Sequence, residues 1–392
     1  MIPYPKSLRR LSVNLVIATA ALWLAACETV PSVGSSGPRI DTNKPVAVAL
    51  LVPAGSGQAQ DDLLARGLEN AARLAMADLQ GAAIDLRVYR TAGQPAQAAA
   101  MANKAVDEGA KIILGPVYGA EANAAGAAVA GRNVNVLSFS NNTGIAGGNV
   151  FVLGSTFENT ANRLVAYAVS QGKRNIMIVN GNDVSEQQGR SAIAAAIARN
   201  GATNVSQASF ALSQNAVTQA IPDIASKARS SGAQAIFMTS GTAGALPIVS
   251  QLLSETGVRS PEFQYVGLQR WDVPVGAREL PGLQGGWFAL PSPGLSQQFE
   301  SRYAQAYGQP PHAIASLAYD GIAAIGALIR AGKSNAMSQS ALTQSTGFAG
   351  VSGIFRLLPN GTNERGLAIA EIRDRQVIVI DPAPRSFGGA GF

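Results

Sequence analysis

Residue types that perform covalent chemistry are scarce in this sequence of 392 residues, which contains one histidine and one cysteine. His312 follows two prolines at a predicted helix start, where a structural role is expected, and no Gly-x-Ser-x-Gly elbow accompanies it. Ser170 and Lys173 match a Ser-x-x-Lys pattern, but the Lys-Thr-Gly partner of such sites is absent. Phosphate loops, dinucleotide fingerprints and metal-ligand spacings are absent too. The sequence therefore predicts a protein that is not an enzyme and uses no cofactor or metal.

Polar clusters near predicted strand ends suit ligand binding better than catalysis. Ser140, Asn141 and Asn142 follow one predicted strand, and Tyr118 follows another. Because ligands of open α/β sheets bind beyond the carboxyl ends of the strands, these side chains are candidate ligand contacts. The alternative is that Ser and Asn only cap helices and turns, and that Tyr118 is a half-buried surface aromatic. Ser56, at the first predicted turn, is a weaker candidate of the same kind.

The elements that position these loops alternate regularly along the chain. The first series has predicted strands at 46–52, 86–89, 111–114 and 134–138, separated by helices at 61–79, 97–108 and 120–130. The second has strands at 175–179, 205–210, 235–239 and 264–266 and helices at 158–170, 187–198, 217–229 and 243–255. Such series build parallel sheets with helices on both faces, and a mature chain of about 350 residues exceeds one ordinary core. We therefore predict two α/β lobes of similar architecture.

The last part of the chain departs from this alternation. Two helices are predicted at 295–307 and 313–330, and strands at 353–356, 366–373 and 376–380 follow them. The turns at 359–361 and 373–375 separate these strands, which alternate as antiparallel strands do.

Cys27 lies where lipidation rather than a disulfide is expected. Basic residues within the first ten positions precede an apolar stretch over residues 11–26, which is shorter than the about 20 apolar residues that span a bilayer. This order is typical of a secretory signal peptide at 1–26, and a retained signal anchor is the alternative. Leu24-Ala25-Ala26-Cys27 resembles a bacterial lipobox, which implies cleavage before Cys27 and a lipid anchor that holds the protein to a membrane.

Residues 27–44 are predicted to form a lipidated cysteine followed by a flexible linker, because they are rich in Ser, Gly, Pro and Thr.

The formal charge of +6 includes three basic residues of the signal peptide, so the mature chain has 27 basic and 24 acidic residues. Without a dense basic cluster, the sequence does not predict a nucleic-acid partner.

The order of motifs resembles the leucine/isoleucine/valine-type periplasmic binding proteins. The resemblance rests on the strand and Gly-Ser-Gly turn at 46–57 and on the segments 112–117, 136–142, 316–320 and 350–356. It implies a type I periplasmic binding protein fold: two doubly wound parallel-sheet lobes joined by three crossovers, with a ligand cleft between them. On that pattern lobe one takes 45–154 and 292–345, lobe two takes 155–291 and 346–382, and a flexible tail follows at 383–392.

Residues 48–53 and 380–385 look most like a lipoprotein subset described as penicillin-binding protein activators. In the wider family, residues matching Ser140 and Asn142 hold a ligand carboxylate. Amino-acid binders of the family also place an aromatic residue near Glu186 and an acidic residue near Gln269, which pairs the ligand ammonium. The acidic Glu186 and the neutral Gln269 depart from this pattern, and an ammonium buried without a carboxylate is costly.

The second lobe is expected to contribute Glu186, Thr242 and Gln269 to the cleft. Trp271 is expected either to close the floor of the cleft or to pack in the hinge. Glu186 is the candidate substitute for the missing acidic partner, on the condition that its geometry leaves its carboxylate available.

Two functions follow from these features, and an enzyme is the least favoured third. The main interpretation is a cell-wall synthesis partner that activates a penicillin-binding protein, and the alternative is an importer component. This component is the substrate-binding lipoprotein of an ABC importer, which delivers amino acids or similar small polar ligands to a permease. A periplasmic location is expected in both cases, and Glu28 after the lipidated cysteine favours the outer membrane because it is not an aspartate.

Overall fold

The computed structural model describes residues 37–388 of the chain. The predicted signal peptide, Cys27, most of the predicted linker and the last four residues lie outside this range. Between residues 37 and 388, no helix is both long and apolar enough to cross a membrane.

The described residues form ten α-helices and fifteen strands. The helices are Ala59–Asp78 (α1), Pro95–Asp107 (α2), Gly119–Val129 (α3), Phe157–Ser170 (α4), Val184–Arg199 (α5), Gln214–Ser230 (α6), Leu246–Glu255 (α7), Pro293–Tyr307 (α8), Ala315–Arg330 (α9) and Gln339–Leu342 (α10). The strands are Val46–Val52 (β1), Ile84–Arg90 (β2), Ile112–Leu114 (β3), Val136–Ser138 (β4), Val150–Val152 (β5), Asn175–Gly181 (β6), Thr203–Phe210 (β7), Ala235–Met238 (β8), Gln264–Gly267 (β9), Trp287–Leu290 (β10), Phe348–Gly350 (β11), Gly353–Leu357 (β12), Asn363–Arg365 (β13), Ala368–Arg373 (β14) and Gln376–Asp381 (β15).

Lobe one is built on a parallel sheet with the order β2-β1-β3-β4-β5. Val48 and Leu50 of β1 pack in one core with α1, α8 and α9. Ala49 and Leu51 pack in a second core, with α2 and α3, on the opposite face. Successive side chains of a strand point to opposite faces, so a sheet covered on both sides requires the uninterrupted apolar run seen in β1.

Lobe two is built on a mixed sheet with the order β15-β14-β10-β9-β8-β6-β7. Strands β6 to β10 run parallel, whereas β14 pairs antiparallel with β10 and β15 pairs antiparallel with β14. Helices α4 and α5 cover one face of the sheet, and α6 and α7 cover the other. The prediction of two α/β lobes with parallel sheets and helices on both faces is confirmed.

A small antiparallel sheet, β11-β12-β13, is formed by the part of the sequence between α10 and the last two strands. Phe348, Phe355 and Leu357 from this sheet pack in the core of lobe one with α9. The expected change of lobe at residue 346 therefore has to be corrected, because these apolar side chains are buried on the lobe-one side. The change comes after Arg365, at residues 366–367.

The chain passes between the lobes three times in the described range, at residues 153–156, 291–292 and 366–367. Buried amides join the first and third passages: Nδ2 of Asn363 donates to the carbonyl oxygens of Val152 and Gly154 at 2.7 and 2.9 Å. Nδ2 of Asn159, at the start of α4, donates to Oδ1 of Asn363 at 2.7 Å. These bonds fix the hinge region at the base of the cleft.

Candidate ligand-binding cleft between the lobes

Two cavities lie between the lobes at the carboxyl ends of the parallel strands, where ligands of such sheets bind. The first, of about 600 Å³, is lined mainly by lobe one, and the second, of about 740 Å³, mainly by lobe two. Four residues line both cavities: Ser155, Pro291, Ala313 and Leu367. The two cavities therefore form one cleft whose base is the hinge.

Ser140 and Asn142 lie in the first cavity and still have hydrogen-bond donors to offer. Oγ of Ser140 accepts from the backbone N–H of Asn142 at 3.1 Å, and Oδ1 of Asn142 accepts from the N–H of Gly144 at 2.9 Å. The oxygen atoms are therefore engaged locally, as the capping alternative expects. The Ser140 hydroxyl hydrogen and the Asn142 amide N–H groups instead favour ligand binding, because a carboxylate accepts hydrogen bonds from such donors. Asn141 is exposed and lines the same cavity.

The start of α3 lies beside this wall, and its first turn also contains the buried Glu121. The cap residue, Tyr118, makes no side-chain hydrogen bond to the helix, and Gly119 at the first helical position lines the cavity. A Cβ at Gly119 would lie 3.3 Å from Nδ2 of Asn142, so glycine brings the helix start and the amide close together. The unpaired N–H groups of a helix start attract anions. The lobe-one wall therefore suits a carboxylate.

Tyr118 lines the first cavity, and its side chain is 41% exposed. Its hydroxyl donates to Oδ1 of Asp61 in α1, and this bond raises the pKa of Tyr118 to about 12. The phenol therefore stays protonated at neutral pH, and the ring is held across the cleft edge. Ser56 does not line the cleft: its Oγ accepts from the N–H of Gln58 at 3.1 Å, a local turn contact.

Glu186 lies in the second cavity, but its carboxylate is already engaged. It accepts from Oγ1 of Thr239 at 2.7 Å, from Oγ of Ser240 at 2.8 and 2.9 Å, and from the backbone N–H of Gly181. Glu186 is also buried. A carboxylate held by this many donors has little capacity left for a ligand ammonium, so the geometry required of a stand-in is not met.

Gln269 and Thr242 line the second cavity. Nε2 of Gln269 donates to the carbonyl oxygen of Thr239 at 3.1 Å, which leaves Oε1 as an acceptor, and the hydroxyl of Thr242 donates to the carbonyl oxygen of Val273. Trp271 must be corrected: it is fully buried in the core of lobe two and lines neither part of the cleft. The indole lies against Gly267 and Gly286, where a Cβ would collide with the ring.

Three charged residues of the cleft escaped the sequence analysis, namely Asp183, Arg270 and Arg365. Asp183 caps α5 by accepting from the N–H of Glu186 at 3.0 Å with Oδ1, and it lines the second cavity. Arg365 lines the first cavity while forming a buried ion pair with Asp320. Asp183 could have been found, because it is an acidic cap residue directly after a strand. Arg365 carried no such signal, because its strand has a polar sequence.

Metal binding finds no support in the described part of the chain, since residues 37–388 contain no group of three or more His, Cys, Asp or Glu side chains placed to hold an ion. The cleft instead combines neutral donors on lobe one with Gln269, Thr242 and Asp183 on lobe two. Such a set can orient a small polar ligand by hydrogen bonds.

Solved structures with the same fold are numerous, and three illustrate the likeness. A protein described as a branched-chain amino acid ABC transporter from Rhodospirillum rubrum is 19% identical, with a TM-score of 0.73, over 86% of this chain and 100% of its own. An ABC transporter substrate-binding protein from Desulfitobacterium hafniense in complex with Leu is 18% identical, with a TM-score of 0.61 and coverages of 86% and 100%. A solute-binding protein of an ABC transporter from Rhodopseudomonas palustris in complex with 3,4-dihydroxybenzoic acid is 17% identical, with a TM-score of 0.55 and coverages of 86% and 96%.

At these identities the structures establish the fold alone. No curated protein matches the sequence. The sequence itself matches the periplasmic binding protein family over residues 45–376, which is most of its length and includes every cleft residue described above. The chain is therefore a member of the periplasmic binding protein family.

Proposed function

We propose that this protein is a non-catalytic binding protein that captures a small carboxylate-bearing ligand and delivers it to an ABC permease. The observation that carries the proposal is the lobe-one wall, where the side chains of Ser140 and Asn142 line one cavity beside the start of α3. The names of structurally similar proteins, which include substrate-binding components of ABC transporters and complexes with leucine and a benzoic acid, support the same class of function.

The mechanism follows from the two-walled cleft. A ligand held by lobe one through its carboxylate would meet Gln269, Thr242 and Asp183 when lobe two approaches. The ligand then favours the closed arrangement by the difference between its affinities for the two states. The buried amide contacts between the first and third crossovers keep this motion at the hinge.

The group that lobe two recognises is a hydroxyl or amide, or an ammonium paired with Asp183. Glu186 is held by its own donors, and Gln269 offers a neutral oxygen. Asp183 keeps a second carboxylate oxygen after capping α5. Amino acids, hydroxy acids and aromatic acids are therefore the ligand classes to screen.

The test is a thermal-shift screen of residues 28–392 against amino acids, hydroxy acids, aromatic acids, small peptides and muropeptide fragments. A ligand at about 100 times its Kd adds roughly 2.7 kcal/mol to the free energy of unfolding, which moves the Tm by several degrees. A saturable shift with one carboxylate ligand, weakened by Ser140→Ala, supports the proposal. No shift with any compound of the panel contradicts it.

The second candidate is a cell-wall synthesis partner that activates a penicillin-binding protein. It is favoured by the likeness of residues 48–53 and 380–385 to that lipoprotein subset and by the absence of an acidic residue at Gln269. Pull-down of detergent-solubilised penicillin-binding proteins tests it. Retention of a synthase by a protein that binds no ligand of the panel would favour this candidate over import.

Membrane attachment is a further part of the proposal. The lipobox-like segment ending at Cys27 supports a lipid anchor, and Glu28 supports the outer membrane over the inner. Fractionation of cells that produce the wild-type chain or Cys27→Ala tests both points: the variant is expected in the soluble periplasmic fraction.

A further inference from the structure

A third cavity, of about 740 Å³, lies between the lobes beside the cleft. Asn141 and Asn142, which line the first cavity, also line this one, so the third cavity continues the cleft. Its opposite wall is a stripe of α5. The stripe consists of residues at helical spacing, namely Val184, Gln187, Gln188, Ser191 and Ala195.

Arg190 is the cation of this third cavity. Its Nε is buried and has no hydrogen-bond partner, and no contact within residues 37–388 pairs its guanidinium with an acid. A buried donor without an acceptor costs about 1–3 kcal/mol, and more when the group is charged. An anion placed in the cavity would pair the charge of the guanidinium through its remaining N–H groups. A carboxylate fits best, because the planar guanidinium binds it through two parallel hydrogen bonds.

The other cations that line the cleft are already engaged. Arg365 pairs with Asp320, and Arg270 donates from Nε to Oδ1 of Asp272 at 2.8 Å. Glu158 is the acidic residue of the third cavity, and its Oε1 accepts from Oγ1 of Thr143 at 3.2 Å. Glu158 is therefore the residue of the chain itself that competes with an external anion for Arg190.

We propose that the third cavity is an anion subsite in which Arg190 binds a second carboxylate of an elongated ligand. The first carboxylate of the same ligand lies against Ser140 and Asn142, and the linking atoms pass Asn141. This inference rests on the proposed function and narrows its ligand class to dicarboxylic acids, including acyl chains and peptides with acidic groups at both ends.

The experiment compares straight-chain dicarboxylates of increasing length with monocarboxylates of the same length, by titration calorimetry on the full chain in detergent micelles. For at least one length we expect the dicarboxylate to bind about tenfold or more tightly than its monocarboxylate, the gain typical of a hydrogen bond to a charged group. Equal affinities at every length would overturn the subsite and leave the proposed function standing. Absence of binding in both series overturns the proposed carboxylate recognition and the subsite together.

Variants assign the effect to Arg190. Arg190→Gln is expected to abolish the preference for the dicarboxylate and to leave the Kd of the monocarboxylate unchanged. Arg199→Gln is the matched control, because Arg199 is an exposed residue of the same helix outside the cavity, and it is expected to change neither Kd. If Arg190→Gln does not fold, Arg190→Lys replaces it. This variant is expected to lose part of the preference for the dicarboxylate, because lysine lacks the planar guanidinium that donates two parallel hydrogen bonds.

Glu158→Gln separates ligand binding from an internal role of Arg190. Removing the negative charge is expected to strengthen dicarboxylate binding and to leave monocarboxylate binding unchanged. If Glu158→Gln instead weakens dicarboxylate binding, or if Arg190→Gln weakens both ligand series equally, Arg190 acts through the structure of the cleft and the subsite is overturned.

Discussion

Nη1 of Arg365 donates to Oδ2 of Asp320 at 3.0 Å, in an ion pair whose side chains are 4% and 0% exposed. Nε and Nη2 of Arg365 also donate to the carbonyl oxygen of Leu153 at 3.1 and 2.6 Å. Asp320 belongs to α9, Leu153 to the first crossover, and Arg365 directly precedes the third. One guanidinium therefore joins two of the three passages between the lobes to a single helix of lobe one.

Removing one partner of this ion pair leaves the other charge buried, which costs about 3–5 kcal/mol. Asp320→Asn and Arg365→Gln are each expected to lower the free energy of unfolding by that amount, measured by urea denaturation. The double variant is expected to lose less than the sum of the two. Asp223→Asn breaks an exposed pair with Lys227, with side chains 61% and 43% exposed, and serves as the control, with a cost below about 1 kcal/mol.

Ser140→Ala removes a hydroxyl donor from the lobe-one wall. We expect it to raise the Kd of a carboxylate ligand by about tenfold, the value of one hydrogen bond to a charged group, with little change in Tm. Ser56→Ala is the matched control, because Ser56 makes only a local turn contact. Calorimetric titration with the ligand found by thermal shift measures both, and equal effects of the two variants would contradict the assignment of the wall.

Glu186→Gln places an amide where three groups donate to a carboxylate. We expect a loss of about 1–3 kcal/mol in the free energy of unfolding, because at least one buried donor is left without an acceptor. Asp183→Asn, at the cap of the same helix, is expected to cost less stability, since an asparagine oxygen also caps a helix. Urea denaturation of both variants checks the order, and a larger loss for Asp183→Asn would show that Glu186 is not the buried anchor of this helix start.

Asp78 makes the stability of lobe one depend on pH in the acidic range. Burial acts to raise its pKa, but hydrogen bonds from Arg302 and Tyr319 outweigh burial and hold the pKa below its usual value of 3.8. A lowered pKa stabilises the folded state above pH 3.8, and this contribution is lost as the pH falls through the folded-state pKa. Asp78→Asn is expected to cost about 1 kcal/mol at pH 7, the upper range for a partly exposed pair, and progressively less below pH 4. Urea denaturation at pH 7 and at pH 3 measures the difference, and a cost that does not shrink at pH 3 would contradict it.

Apolar patterns predicted the frame of the fold because they follow directly from burial. The run at Val46–Val52 was expected as a strand buried on both faces, and β1 has these bounds. Strands β5, β10, β11 and β13 were not predicted, and the sequences of β5 and β13 give a physical reason. Val150–Val152 is too short to show a period, and Asn363–Arg365 has no apolar residue, so each is a strand only through pairing with its neighbour.

The cleft was predictable in position and less so in chemistry. Ser140, Asn141, Asn142 and Tyr118 follow strands, and the rule on strand ends places such residues at the ligand edge. No local pattern reveals that Thr239 and Ser240 approach Glu186 from more than fifty positions away and engage its carboxylate. A tryptophan near a strand end fits the floor of a cleft as well as a core, so the sequence alone did not place Trp271 in the core of lobe two.

The small sheet that carries Phe348, Phe355 and Leu357 bears on how the protein is made. These side chains complete a core whose first strand begins at Val46, so lobe one stays open until nearly the whole chain has been synthesised. A chain that ends before this sheet lacks three buried apolar side chains and exposes the surface they cover. Lobe one can therefore complete its core only after this sheet has been synthesised.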